Sequence, residues 1–380
     1  MTSTLPDNLF DNIGDLRKKY PDDFVQSFAL SRTYPAQFSI HNANHAPSYR
    51  PKDQLNFKYN LNLDAAVVVL RHLYSMVLQR QSDTITRDEL SHPILRFIWA
   101  DFEDESSIAA QTILRFEMQT LDDPQGKMTI FDLFERPAMW NTIWSREPFL
   151  LYHPRVLARP KNATMWKVID HNKGVSKKSL VQWDGANDLG AKISSLFCRS
   201  SHIPTGDQFV EMFNDPAIIR VRYKHTAQHQ PPATYQDLRE ILVAPRRIKP
   251  AENDFATLVR LSPEEDSERI RHTLVAVVRC SGQAEEADRF RLYSVTGQPM
   301  SLPITARDYV GIEWNIGDIE DPGRVYLLFY TRSLPTPITG QHGEPIARRT
   351  PDMISKIMAM KKSILLKSEE GSSASTSAPQ

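Results

Sequence analysis

The chain has 380 residues, of which 41% are hydrophobic and 24% charged, a mixture typical of folded globular proteins rather than disordered or membrane-spanning ones. Lysine plus arginine equals aspartate plus glutamate at 46 each, so no overall field attracts polyanions. Cys198 and Cys280 are the two cysteines, too few for a disulfide framework, and they predict a reducing compartment, cytoplasmic or nuclear. No run of about 18 apolar residues predicts a membrane span.

The first 60 residues mix Pro, Asn and Asp with nine aromatic side chains. A disordered arm is poor in aromatic residues, so residues 1–60 are predicted to form an irregular arm packed on the body. From Asp64, the run DAAVVVLRHLYSMVLQR is apolar on nearly every face and predicts a buried helix with Asp64 as its N-cap. A capping box of Thr86 and Glu89 predicts another helix to about residue 100, and a further helix is predicted from Ser107.

The second half changes character. DLGAKISSLFCRS and TGDQFVEMF are predicted to be helices, whereas AIIRVRYK alternates with period two and predicts a strand. HTLVAVVRC, RFRLYSV and RVYLLFYTR predict further strands, separated by turn residues. MISKIMAMKKSILLK predicts a basic amphipathic helix near the C-terminus, which docks either on its own domain or on a partner.

Together these patterns predict an α+β fold, with a helical N-terminal half packed on a mixed, mainly antiparallel, sheet-rich C-terminal half. After the arm, the predicted divisions are a mainly helical lobe, a sheet-rich lobe, a linker with the basic amphipathic helix, and a disordered Ser-rich tail. Their bounds are 61–185, 186–335, 336–367 and 368–380.

Candidates for catalysis are few. Cys198 precedes His202 by four residues, a spacing that would put thiol and imidazole on one face of a continuous helix. Cys280 ends an apolar strand. A buried structural thiol is favoured for both, because free cysteine is among the most buried residue types. The sequence contains no phosphate-binding glycine loop and no complete metal-ligand set, so we expect no cofactor and no metal.

Basic residues alternate along two of the predicted strands. If the two strands are neighbours, their basic side chains form a stripe that would bind nucleic acid. The alternative is that they only keep an outer sheet face hydrated. The residues of this candidate binding face are Arg220, Arg222, Lys224, Arg289 and Arg291.

Five blocks of the second half follow one another in the order seen in the C-terminal lobe of ubiquitin-specific proteases, which they resemble. The blocks are IIRVRYK at 218–224, YQDLREI at 235–241, TLVAVVRCSG at 273–282, DRFRLYS at 288–294 and VYLLFYTR at 325–332. Where that family has its catalytic histidine in a G-H-Y strand, this chain has Asp288, Arg289 and Phe290, and arginine does not accept a proton at neutral pH. The G-N-T-C-Y box of the family is absent.

The resemblance implies a degenerate, non-catalytic domain that keeps a surface for ubiquitin or another protein. We therefore expect a non-enzymatic intracellular interaction protein, a pseudoenzyme by descent. Two alternatives stay open from the sequence. One is a nucleic-acid-binding protein that uses the basic strand face, and the other is a divergent cysteine peptidase that uses Cys198 or Cys280.

Overall fold

The fold is taken from a computed structural model. It describes residues 14–20, 29–30, 53–77, 93–101, 129–164, 166–170, 174–197, 199–201, 205–224, 226, 233–244, 269–281, 288–300, 314, 316 and 323–333. All of them belong to one unit, Met1–Ser333. The helix predicted from Ser107, the C-terminal helix and the Ser-rich tail lie outside the described residues.

Helices dominate the first part of the described chain and strands the second. The helices are α1 (Leu16–Lys19), α2 (Asp53–Ser75), α3 (Pro93–Trp99), α4 (Ile130–Phe134), α5 (Pro137–Thr142), α6 (Val175–Lys178), α7 (Leu189–Ser195) and α8 (Tyr235–Leu238), with a 3-10 turn at Glu147–Phe149. The strands are β1 (Tyr152–Arg159), β2 (Lys167–Asp170), β3 (Leu180–Trp183), β4 (Arg199–Ser201), β5 (Gln208–Phe213), β6 (Ile218–Lys224), β7 (Glu240–Val243), β8 (Ile270–Arg279), β9 (Arg289–Leu292) and β10 (Val325–Arg332).

The larger sheet has six strands in the order β3-β6-β10-β8-β7, and β9 also pairs with β8. β3 runs parallel to β6, and the other neighbours are antiparallel. The predicted α+β fold with a mixed, mainly antiparallel sheet is confirmed. The four strands predicted from AIIRVRYK, HTLVAVVRC, RFRLYSV and RVYLLFYTR all form in this sheet.

β10 lies inside this sheet and is buried on both faces. Leu327 and Phe329 point to the face that packs against α2, α3, α4 and α5, which we call the helix-side face. Tyr326, Leu328 and Tyr330 point to the other face, which packs against α7 and α8 and which we call the opposite face. Because successive side chains alternate along a strand, β10 contributes to both hydrophobic clusters.

The side chains of α2 from Asn62 to Ser75 are buried, as predicted, but the helix begins at Asp53 and not at Asp64. Asp64 is therefore no N-cap: it lies inside the helix and is almost fully buried. The residues before it include several Asn and Asp, which favour helix starts, but neither proline nor glycine interrupts 53–75.

A second, four-stranded sheet has the order β2-β1-β5-β4 and is antiparallel throughout. The helix predicted from TGDQFVEMF is wrong, because Gln208–Phe213 is strand β5, paired on both sides. The segment 61–185, predicted to be mainly helical, also contains β1, β2 and β3. In both places cross-strand pairing outweighs the local sequence preference.

Arg71 is a buried cation on α2 that closes the end of α3. Its Nη1 donates to the carbonyl oxygens of Phe97 (3.4 Å), Ile98 (2.7 Å) and Ala100 (3.0 Å). Carbonyls at a helix C-terminus lack intrahelical donors, and a cation there also offsets the helix dipole.

Arg71→Leu should therefore lower the free energy of unfolding by about 2–4 kcal/mol, because buried carbonyls lose their charged donor. Chemical denaturation measures the loss. Arg155→Leu is the matched control. Arg155 Nε lies 3.3 Å from Asp170 Oδ1, but both side chains are exposed, and such a surface pair contributes at most about 1 kcal/mol to stability. Equal losses in the two variants would contradict the capping role.

Candidate functional site

Cys280 lies directly after β8 in a setting that keeps its thiol unreactive. Its N–H donates to the carbonyl of Val325 at 2.9 Å, and its own carbonyl accepts from Nη1 of Arg324 at 3.3 Å. Burial, reinforced by the charge of Asp288, raises the pKa of the Cys280 thiol well above its ordinary value. A nucleophilic cysteine needs the reverse, a pKa lowered by a neighbouring cation or imidazole.

Cys198 and His202 lie outside the described residues. Whether these two side chains meet stays a prediction from their spacing.

Asp288 lies directly before β9, and its carboxylate links two elements. It accepts from the Ser281 N–H at 2.6 Å and from the Ile130 N–H at the start of α4. Burial raises the pKa of Asp288, while these two N–H groups act to lower it. The side chain thus joins the β8–β9 connection to the helix N-terminus.

Two histidines are fully buried, and both bond to the backbone. Nε2 of His72 lies 3.1 Å from the carbonyl of Val275 and 3.0 Å from that of Tyr293, so Nε2 carries the proton and donates. Nδ1 of His272 lies 3.3 Å from the carbonyl of Ile270. Burial lowers the pKa of each to about 4, so both are neutral at pH 7.

Arg220 is buried on the helix-side face of β6, between two indole rings. Its guanidinium carbon lies 4.8 Å from the ring centroid of Trp140 and 4.3 Å from that of Trp144, and Nη2 donates to the carbonyl of Ser176 at 2.9 Å. Burial lowers the pKa of Arg220 to about 9, and the Glu135 carboxylate acts to raise it. The two indole rings thus stabilise the guanidinium charge by cation–π contact in place of the water that is excluded on burial.

The cleft beside Arg220 is small. Its cavity volume is only about 10 Å³, and it is lined mainly by apolar side chains, with Glu135 and Arg220 as its charged groups. Burial raises the pKa of Glu135, against the lowering effect of Arg220, Arg222 and Lys177. Ligand pockets usually span roughly 300–1,000 Å³, so this cleft is undersized and its carboxylate serves to balance Arg220.

The basic residues of β6 and β9 do not form one stripe. β10 and β8 separate the two strands, and the two basic sets lie on opposite faces of the sheet. Arg222 and Lys224 share the helix-side face with Arg220, and Arg222 lies over the Phe131 ring at 4.7 Å.

Arg291 is paired with Val277 on the opposite face, where its guanidinium lies 4.4 Å from the Trp314 ring centroid and donates to the Trp314 carbonyl. Arg289 alternates with Phe290 and faces the same side as Arg291.

Strand β2, at the edge of the four-stranded sheet, is not predicted from the sequence. All four of its residues are exposed. Val168 (48%) and Ile169 (40%) are two of the three large hydrophobic side chains that stand exposed in the described part of the chain, and Leu242 (47%) is the third. The Val-Ile pair after Trp166 was the available signal, but four residues are too few for a reliable period.

Within the described ranges, no group of three His, Cys, Asp or Glu side chains is placed to hold a metal ion. Nor does any described helix have the length and apolar character needed to cross a membrane.

No family model matches the sequence, and no curated protein matches it either. Among solved structures, the Saccharomyces cerevisiae PAN2 pseudoubiquitin-hydrolase is similar over 74% of this chain and 85% of that chain, at 10% identity and a TM-score of 0.29. The Saccharomyces cerevisiae Pan2 pseudoubiquitin hydrolase–RNA exonuclease module, in complex with AAUUAA RNA, is similar over 73% of this chain and 49% of that one, at 9% identity and a TM-score of 0.25. At such low TM-scores we infer nothing from these two structures about activity or partners.

Stability should depend steeply on position along the helix-side face of β6. Arg220→Ala removes two cation–π contacts and a hydrogen bond and should lower the free energy of unfolding by about 3 kcal/mol. Arg222→Ala should cost about 1 kcal/mol, and Lys224→Ala, at an exposed position, less than about 0.5 kcal/mol. Urea denaturation of the three variants measures these losses in the free energy of unfolding. Equal losses in all three would contradict the stabilising role of Trp140 and Trp144 around Arg220.

The two buried histidines predict acid sensitivity. Each binds its proton with a pKa near 4 in the folded state and near 6.5 when unfolded, so the unfolded chain binds more protons between these values. Stability should therefore fall as the pH drops from 6.5 towards 4, by up to about 1.4 kcal/mol per pH unit for each histidine. His72→Gln and His272→Gln should each flatten this slope in denaturation measured from pH 7 to pH 4.5. Slopes equal to that of the unsubstituted protein would contradict the assignment.

Proposed function

We propose that the chain is a non-catalytic protein-interaction domain. The observation that carries the proposal is the edge of the four-stranded sheet, where β2 combines exposed Val168 and Ile169 with backbone groups that, in the described part of the chain, pair with β1 on one side only. An edge strand of this kind is a template for pairing with another chain. Peptide segments bind such edges by adding a strand, with main-chain hydrogen bonds for affinity and side chains for specificity.

Proteins usually protect a sheet edge with prolines, charges or a covering element. β2 has a charged residue at each end, Lys167 and Asp170, but its centre is apolar and β-branched. Each face of this short edge strand therefore presents one exposed apolar side chain, Val168 or Ile169.

Three described side chains of the sheet-rich part that could carry out acid–base or nucleophilic chemistry have structural roles instead. The Cys280 thiol is buried with a raised pKa, Asp288 accepts from two backbone N–H groups, and His272 is buried and neutral. These contacts support a non-catalytic role and fit a degenerate ubiquitin-hydrolase-like domain, a descent that remains a proposal based on the order of the strand blocks. Ubiquitin is accordingly one candidate partner.

Nucleic-acid binding has less support. The residue at the centre of the predicted basic face, Arg220, is enclosed between Trp140 and Trp144, and Arg289 and Arg291 lie on the other face of the sheet.

A photo-crosslinking amino acid at position 169 tests the interaction proposal in cells that express the full chain. We expect a crosslinked polypeptide from position 169 and none from position 242, the matched control. Leu242 is exposed to the same degree but lies on the other sheet, in β7. Peptide mass fingerprinting of the adduct then identifies the partner or reveals a second copy of this chain.

Absence of an adduct at position 169, or equal adducts at 169 and 242, would overturn the assignment of β2 as the contact surface. Labelling of Cys198 or Cys280 by an electrophilic ubiquitin probe would overturn the non-catalytic part of the proposal and favour the divergent cysteine peptidase.

A further inference from the structure

The hairpin that ends in β2 carries a net positive charge. Tyr152–Asp170 contains four Lys or Arg residues and one carboxylate, Asp170, whereas the whole protein has a net charge of +0. The four basic residues are Arg155, Arg159, Lys161 and Lys167. A local positive field therefore surrounds the exposed strand.

Neighbouring groups neutralise only part of this positive charge. Arg155 pairs with Asp170 at 3.3 Å, and Arg159 lies over the Trp166 ring at 5.0 Å and donates to Gln208. Lys161 and Lys167 are exposed, and neither ammonium group has a carboxylate partner among the described residues. Asp207, the nearby acid, accepts from the backbone N–H of Lys161.

The orientation of β2 determines which positions a partner strand would meet. Register with β1 pairs Leu157 with Val168 and Val156 with Ile169, so these two exposed side chains lie on different faces of the sheet. Lys167 shares its face with Ile169. An added strand would thus place one apolar side chain beside Val168, another beside Ile169 and a third residue directly opposite Lys167.

From this juxtaposition we propose that the occupant of the β2 edge is an extended acidic segment of a partner protein, in which carboxylates accompany apolar residues. This inference rests on the proposed function. Opposite charges facing each other across two strands stabilise the pair, and like charges destabilise it. A second copy of this chain fits less well, because it would bring the same four basic residues to the same edge. The apolar centre and one-sided backbone pairing of β2 favour a polypeptide over a nucleic acid.

Fluorescence anisotropy with short labelled peptides tests the partner class on the full chain. The probe is a peptide of about eight residues in which pairs of Val are flanked by Glu, so that Glu can face Lys167 while Val faces Val168 and Ile169; its length is within the usual range of strands. One control replaces every Glu by Lys, and another replaces alternate residues by Pro, which removes the N–H groups needed for strand pairing. We expect binding of the Glu peptide alone, weakened as ionic strength rises.

Charge reversal on the protein gives the matched comparison. The double variant Lys161→Glu and Lys167→Glu should bind the Glu–Val peptide about tenfold more weakly, whereas Lys224→Glu, at an exposed lysine of the other sheet, should leave the affinity unchanged. All three changes are at exposed positions, so circular dichroism should show the same fold in every variant.

The outcomes separate the two levels of the proposal. If position 169 crosslinks a partner but the Lys peptide binds as well as the Glu peptide, or charge reversal has no effect, the acidic partner class is wrong and the interaction surface stands. If no peptide binds and position 169 gives no adduct, both fail. Concentration-dependent dimers that Val168→Lys dissociates would assign the edge to a second copy, and a salt-sensitive retention on polynucleotide lost in the double variant would assign it to nucleic acid.

Discussion

The burial of β10 on both faces is the constraint on which the rest of the structure depends. Phe329 stacks on Trp144 on the helix-side face, with ring centroids 6.5 Å apart, and Tyr326 stacks on Tyr223 on the opposite face at 5.8 Å. A strand covered on both sides needs helices or loops on both sides. The first-half helices supply one cover, and α7 and α8 with neighbouring residues supply the other. Trp144, held by Phe329, is in turn one wall of the cage around Arg220.

The parts of the fold that could be predicted from the sequence are those with a long apolar signal. HTLVAVVRC and RVYLLFYTR are nearly continuous apolar runs, as expected for strands buried on both faces, and the C-terminal half of α2 is apolar on nearly every face. β2 and β5 were missed or misassigned because their residues are polar or mixed and their pairing partner, β1, is provided by tertiary structure. The parallel strand β3 was missed for a related reason: its four residues follow a lysine-rich turn, and its burial depends on β6.

For the candidate site, the sequence predicted which basic residues share a strand face, but not which groups surround them. The alternation of Arg220, Arg222 and Lys224 correctly places them on one face of a strand. That Arg220 is enclosed by Trp140 and Trp144 depends on α5 folding over that face, which no local pattern encodes. In the same way, period-two alternation identifies Arg289 and Arg291 as neighbours on one face, but only the register with β8 reveals that this face is the opposite one.

The two sheets differ in how far their side chains are buried and partnered. In the larger sheet, charged groups that enter the interior have compensating partners, such as indole rings for Arg220 and backbone N–H groups for Asp288. Changing any of them leaves a buried group unsatisfied, so this sheet tolerates little variation at its charged positions. The smaller sheet has a cluster of only a few buried side chains, Leu157, Trp166 and Val210, and its outer strand has no cover in the described part of the chain. Binding at β2 would bury Val168 and Ile169 without disturbing the larger core, which is why the edge is better suited to interaction than any cleft in the described part of the larger sheet.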